Sequence, residues 1–173
     1  INGLKRISLG LSLSKGLSNS GLLPMLSGQL KVSWNLALRG RMVNYSTKDG
    51  SIQLYGWGLK FNPGNKNMPS KWKLLFDSGT FTSFNQFKSS TIQLLAMRSF
   101  KLNKYPLEIG LGANIVNSTQ NIISDLELHG RSKLQSNFIN LGTKINLFSL
   151  RMTPQIWFGM DYNLFSISFT ETF

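Results

Sequence analysis

The chain has 173 residues, 41% of them hydrophobic and only 15% charged, and a formal net charge of +12. The charged share lies below the roughly 25% of ordinary soluble domains, yet no run of about 18 apolar residues occurs, which excludes a transmembrane helix. Cysteine is absent, so disulfide staples and thiolate metal sites are excluded; one histidine with dispersed acids offers no ligand cluster for a metal.

Along the chain the dominant pattern has a period of two. In segment 4–16, Ile7, Leu9, Leu11 and Leu13 alternate with Ser8, Gly10, Ser12 and Ser14. Residues 17–28, with Leu22, Leu23, Pro24, Met25 and Leu26, read as an apolar loop. Segment 29–44 alternates Leu30, Val32, Trp34, Leu36 and Leu38 with Lys31, Ser33, Asn35, Ala37 and Arg39. Segments 51–62, 71–83 and 90–101 follow; Ile52, Leu54 and Arg98 fall on the wrong face of theirs. Segment 106–117 alternates cleanly, and a short segment 121–129 is included because single-chain bacterial barrels have an even strand number. Segments 134–148, 150–161 and 163–173 complete the series.

One face of each segment is apolar, and the other is small or polar, rich in Gly, Ser and Asn. That suits a crowded, wet lumen better than the Lys- and Glu-rich outer face of a soluble sandwich. Several segments reach the roughly 9–11 residues that a tilted strand needs to cross a bilayer. Aromatics gather near segment ends, as interfacial girdles would. The prediction is an all-β fold, one closed antiparallel transmembrane β-barrel over residues 1–173. Ten strands are expected, with eight as the alternative; a soluble lipocalin-like barrel is the competing reading.

The last segment carries a resemblance. Phe165, Ile167 and Phe169 alternate and close on Phe173, which resembles the C-terminal signal strand of bacterial outer-membrane β-barrels; Glu171 departs from the pattern, where a hydrophobic residue is usual. The resemblance implies a bacterial outer-membrane location and recognition of this strand by the barrel-assembly machinery. The chain begins at Ile1 without a visible signal peptide, which reads as a processed or truncated form. Basicity of this size attracts polyanions. Outer-membrane lipid and lipopolysaccharide are the expected partners, with other envelope proteins as further candidates and nucleic acid not expected.

Catalytic chemistry is weakly supported. His129 has Ser132 nearby, and Asp125 and Glu127 share its segment, but the sequence around them matches no lipid-modifying motif. No catalytic residue, metal or cofactor is expected. The inward basic set is Arg6, Lys31, Arg39, Arg41, Lys60, Lys73, Lys144 and Arg151; the acidic set is Asp77, Glu108, Asp125, Glu127 and Asp161. With periplasmic turns at 45–50, 84–89, 118–120 and 149, and outer loops at 17–28, 63–70, 102–105, 130–133 and 162, five cations fall in the periplasmic half. These are Arg6, Arg39, Arg41, Lys144 and Arg151, while Glu108, Asp125, Glu127 and Asp161 fall nearer the outer half. An anion-binding or partner-docking patch at the periplasmic mouth is expected, with local pairing to Asp77 or water as the alternative. The function expected is that of a non-enzymatic structural or accessory subunit or scaffold, within a larger envelope complex. A narrow anion-favouring pore is the alternative and a lipid-modifying enzyme the lesser one.

Overall fold

The computed structural model describes residues 6–17, 22–47, 50–83, 87–103, 105–121, 129–160 and 162–173. Its strands are β1 (Ile7–Gly16), β2 (Leu22–Lys31), β3 (Leu36–Thr47), β4 (Gly50–Phe61), β5 (Trp72–Ser83) and β6 (Phe87–Leu102). They continue with β7 (Tyr105–Asn121), β8 (His129–Thr143), β9 (Ile145–Leu147), β10 (Leu150–Gly159) and β11 (Asn163–Thr172). Neighbours in sequence pair antiparallel, and β1 pairs with β11, from Ser8 opposite Thr172 to Gly16 opposite Leu164. That last ladder closes the sheet, so the fold is a ten-stranded antiparallel barrel with one extra strand. The extra strand, β9, prolongs β8: both meet β10 in one unbroken register. The break between them faces Pro154. Alternation of the ladder turns that residue's missing N–H toward β8, so the hydrogen bond that would join the two pieces cannot form.

The barrel is apolar outside and polar within. Ile7, Leu9 and Leu11 on β1, Leu38 and Met42 on β3, and Leu150 and Phe158 on β10 all point outward and are exposed. Among the described residues, five apolar and seven polar side chains are buried, the latter including Asp77, Glu108, Ser136 and Asn140. A soluble barrel would bury the first group and hydrate the second. On β10 the outward residues from Leu150 to Phe158 cover about 27 Å of strand at ~3.4 Å per residue. A tilt of about 40° reduces this to a height of roughly 20 Å, close to the apolar band of a membrane barrel. The chain therefore spans a membrane through its strands.

The start of β1 and the end of β11 lie at one end, here called the near end. An outward aromatic girdle marks it, with Trp34, Phe61, Trp72, Tyr105, Phe148 and Phe173 exposed. Arg98, the cation that breaks the alternation of its segment, also faces out there and stacks 5.6 Å from the centre of the Trp72 ring. At the far end the outward positions turn polar, as at Asn44, Gln53, Ser78, Ser90 and Asn117. Tyr162 is not a girdle residue; its ring packs against Phe138 at 6.3 Å.

Three expectations are corrected. Residues 22–31 form β2, not a loop, and segment 29–44 is two strands joined by a turn at 32–35. The turn is held by Ser33: its Oγ accepts the Leu36 amide at 3.1 Å, and the Val32 and Ser33 amides both donate to the Leu36 carbonyl. Outward residues are even-numbered on both sides of it, so the alternation runs through in phase and leaves no mark in the sequence. Second, the turns expected at 118–120 and 130–133 are strand: Ser118 pairs with Ser132 and Thr119 with Arg131. Both faces of this hairpin stand beyond the apolar belt, so polar residues occupy both. The segment expected at 121–129 falls, from 122 to 128, outside the described residues. Third, the added β2 reverses every strand from residue 36 to residue 121 relative to expectation. The β4–β5 and β6–β7 connections lie at the near end, and so does Glu108, near the start of β7.

Candidate functional site: the basic lumen

Alternation sends every second side chain of β3, β4 and β5 inward, and there arginines lie opposite glycines. Arg39 pairs in register with Gly58, and Gly58 with Asp77; Arg41 pairs with Gly56, and Gly56 with Gly79. The glycines leave slots over which the long side chains lie flat. Arg39 thereby reaches β5, where its Nη1 donates to Asp77 Oδ2 at 2.9 Å. A Cβ on Gly56 would sit 2.7 Å from Arg41 Nε.

Closer to the near end, Glu108 is the centre of a second network. Its Oε1 accepts from Lys144 Nζ at 2.6 Å, from Ser99 Oγ at 2.9 Å, and from Lys73 Nζ. Lys73 also donates to Ser99 Oγ at 2.9 Å. Two ammonium groups thus share one carboxylate. Charge-assisted hydrogen bonds of this kind are the strong ones in a partly dry interior.

These networks line a cavity of about 490 Å³ in the lumen. Among the described residues, six cations border it (Arg39, Arg41, Lys60, Lys73, Lys144 and Arg151) against two carboxylates, Asp77 and Glu108, a formal excess of four positive charges. Among the described residues no carboxylate pairs with Arg41, Lys60 or Arg151; Arg151 Nε donates to Asn146 Oδ1 at 3.4 Å. The opposite wall is uncharged and hydroxylic, with Ser12, Ser14, Ser166, Ser168 and Thr170. A cation-rich wall facing a hydroxyl wall offers both charge and hydrogen bonds to a small anion.

Of the five cations expected in the patch, Arg39, Arg41, Lys144 and Arg151 line this cavity. Arg6 does not; it is exposed before β1, its carbonyl accepting the Lys31 amide at 2.8 Å. Arg39 and Lys144 have acidic partners, and Glu108 stands among the cations rather than at the far end. Lys60 and Lys73 belong to the same lining but not to the expected patch. The readable sign is the spacing Gly56-Gly58-Lys60, inward by alternation beside Asp77. Asp125, Glu127 and Asp161 lie outside the described residues, as does the His129 side chain, and Ser132 is exposed. Phe165, Ile167, Phe169 and Phe173 all share the outward parity of β11, and Glu171 faces out with them between Leu9 and Leu150.

The glycine slots give a direct test. A Cβ on Gly58 would collide with Asp77 Oδ1 and lie 2.5 Å from the backbone oxygen of Phe76. Backbone cannot swing aside as a side chain can, so Gly58→Ala is expected to cost about 1–3 kcal/mol and to loosen the Arg39–Asp77 pair. A Cβ on Gly40, outward on β3, would meet nothing within 4 Å, and Gly40→Ala should be near neutral. Urea unfolding in detergent compares the two; equal midpoints would reject the slot.

No protein-family model matches the chain, and no curated protein matches it by sequence. Among solved structures the chain is similar to the N-terminal β-barrel domain of Pseudomonas aeruginosa OprF, at 13% identity over 98% of this chain and 99% of that one, with a TM-score of 0.43. It is also similar to Neisserial surface protein A, at 9% identity over 98% and 96% with a TM-score of 0.37. A third likeness is to the β domain of the Bordetella autotransporter BrkA, at 9% identity over 98% of each chain with a TM-score of 0.46. At these values the likenesses add nothing to a barrel that its own strand register already closes.

Proposed function

We propose that the chain is a non-enzymatic barrel of a bacterial outer membrane whose lumen forms a narrow, anion-favouring path. The observation that carries this reading is the cavity bordered by six cations and two carboxylates. Narrow barrels are commonly filled by side chains; this one keeps open volume along its hydroxylic wall, from Ser8 to Ser14 on β1 and from Leu164 to Thr172 on β11. An uncompensated positive lumen raises the local anion concentration and opposes cations. The accessory or scaffold role has no comparable observation behind it.

Planar-bilayer recording tests the reading. Under a tenfold KCl gradient the reversal potential should lie on the anion side of zero, within the limit of about 59 mV for one charge. Lys60→Glu with Arg151→Glu should move it toward or past zero. A cation-selective wild type, or insertion without conductance, would overturn the pore.

A further inference from the structure

The outer wall carries a second basic feature that the lumen does not explain. Even-numbered residues of β6 face outward, opposite to buried Ser89 and Leu95, so Lys88 faces out. Odd-numbered residues of β8 do the same, opposite to buried Ser136, Phe138 and Asn140, so Arg131 and Lys133 face out. Register brings the three together. Lys88 pairs with Thr119, and Thr119 with Arg131; in the next row, Ser90 pairs with Asn117, and Asn117 with Lys133. Lys88 and Arg131 thus lie two strands apart, about 10 Å, and Arg131 and Lys133 about 7 Å along one strand. All three are exposed, and no carboxylate shares this face among the described residues.

Directly toward the membrane from this cluster the same strands, flanked by β5 and β10, bear an outward groove of about 760 Å³. Leu94, Ala96, Leu111, Ala113, Ile139 and Phe158 line it. The hollow exists because Ala96 and Ala113 are short side chains set among long ones. Asn137 touches the groove, four residues along β8 from Lys133, roughly 14 Å. Cations at the polar boundary above an apolar hollow match one kind of occupant: a molecule with phosphate at the headgroup level and hydrocarbon below.

We propose that the far-end outer face of β6, β7 and β8 is a docking site for a phosphorylated lipid, its phosphates on Lys88, Arg131 and Lys133 and its acyl chains in the groove. The site rests on the membrane reading above but not on the conducting lumen. Phosphate gains charge-assisted bonds from the three cations and ordinary hydrogen bonds from Thr119 and Asn117 between them. The acyl chains fill contacts that flat lipid packing would leave unmade.

The test places the barrel in phosphatidylcholine nanodiscs doped with either bis-phosphorylated lipid A or the same lipid without its phosphates, and reads retained lipid by native mass spectrometry. Wild type should retain the phosphorylated form at least about tenfold more strongly, and Lys88→Gln with Arg131→Gln and Lys133→Gln should remove that preference. Ala113→Phe, which fills the groove from the lipid side, should lower retention of both forms. Lumen variants Lys60→Gln and Arg151→Gln should leave retention unchanged. Equal retention of the two lipids by wild type overturns the site, as does a triple variant that binds like wild type, or loss of retention in the lumen variants instead. Displacement by millimolar inorganic phosphate, regardless of acyl chains, also overturns it, because the cluster would then bind a free ion. Heat-shifted gel mobility verifies folding of each variant. Failure of the wild type to enter the bilayer at all would instead count against the membrane reading.

Discussion

Removing Phe173 is expected to reduce the folded barrel in the membrane at least about tenfold. Two roles are expected to meet at this residue. Its backbone closes the barrel seam: the Phe173 amide donates to the Ile7 carbonyl at 2.8 Å, and the Ile7 amide donates to the Phe173 carbonyl at 3.3 Å. At about 1 kcal/mol each, these bonds alone account for a factor of roughly thirty in the closing equilibrium. The side chain has an expected second role, since it continues the outward row Phe165, Ile167, Phe169 that resembles an assembly signal. Phe173→Lys bears on the side chain alone, because it keeps both seam bonds and replaces the aromatic ring with a charged chain. If the ring is read during assembly, Phe173→Lys should fail as badly as the deletion. Deletion of Asn65, exposed in the near-end connection 62–71, should leave abundance close to wild type. The readout is the heat-modifiable band in outer-membrane fractions. Equal abundance of the Phe173 deletion and the Asn65 deletion would reject both roles.

The barrel's class is legible because the alternation of Leu and Ser in β1, or of Ile156 and Gln155 in β10, is a property of single strands. The sequence yields the barrel's strand number, ten, although it misses β2. It hides β2 because Val32 and Leu36 share a parity across the Ser33 turn, and because Pro24 argues against a central strand. Pro24 is tolerated since its missing N–H faces β3 at a position where the β2–β3 ladder, which ends at Leu26 opposite Met42, no longer runs. It suggests turns at 118–120 and 130–133 because polar residues there occupy both faces of the β7–β8 hairpin. The lumen is legible only as parity. That Arg39 meets Asp77, 38 residues away, and Lys144 meets Glu108, 36 residues away, depends on strand neighbours and register. Inserting one strand before residue 36 is enough to move Glu108 from the far end to the side of its two lysines.

The largest loss of stability from a single lumen substitution is expected at Glu108. Its side chain is 5% exposed, and Oε1 takes Lys73, Lys144 and Ser99 together. Glu108→Gln keeps the shape but removes the charge, leaving two ammonium groups facing each other across a neutral amide. Breaking a buried ion pair by deleting one partner costs about 3–5 kcal/mol, which is a large part of the roughly 5–15 kcal/mol that stabilises a typical domain. Lys144 is 31% exposed, so water offsets part of the loss, and a value near the lower figure is expected. Two further variants make the argument specific. Glu108→Gln combined with Lys144→Met should recover part of the stability, because only one cation then lacks a partner. Sulfate should also recover stability in Glu108→Gln more than in wild type, because an anion can take the place that the carboxylate left. That second recovery links the network to the anion-favouring lumen. Urea unfolding in detergent, with and without sulfate, gives all the midpoints. A Glu108→Gln midpoint within about 0.5 kcal/mol of wild type would mean that the lysines were never held by this carboxylate.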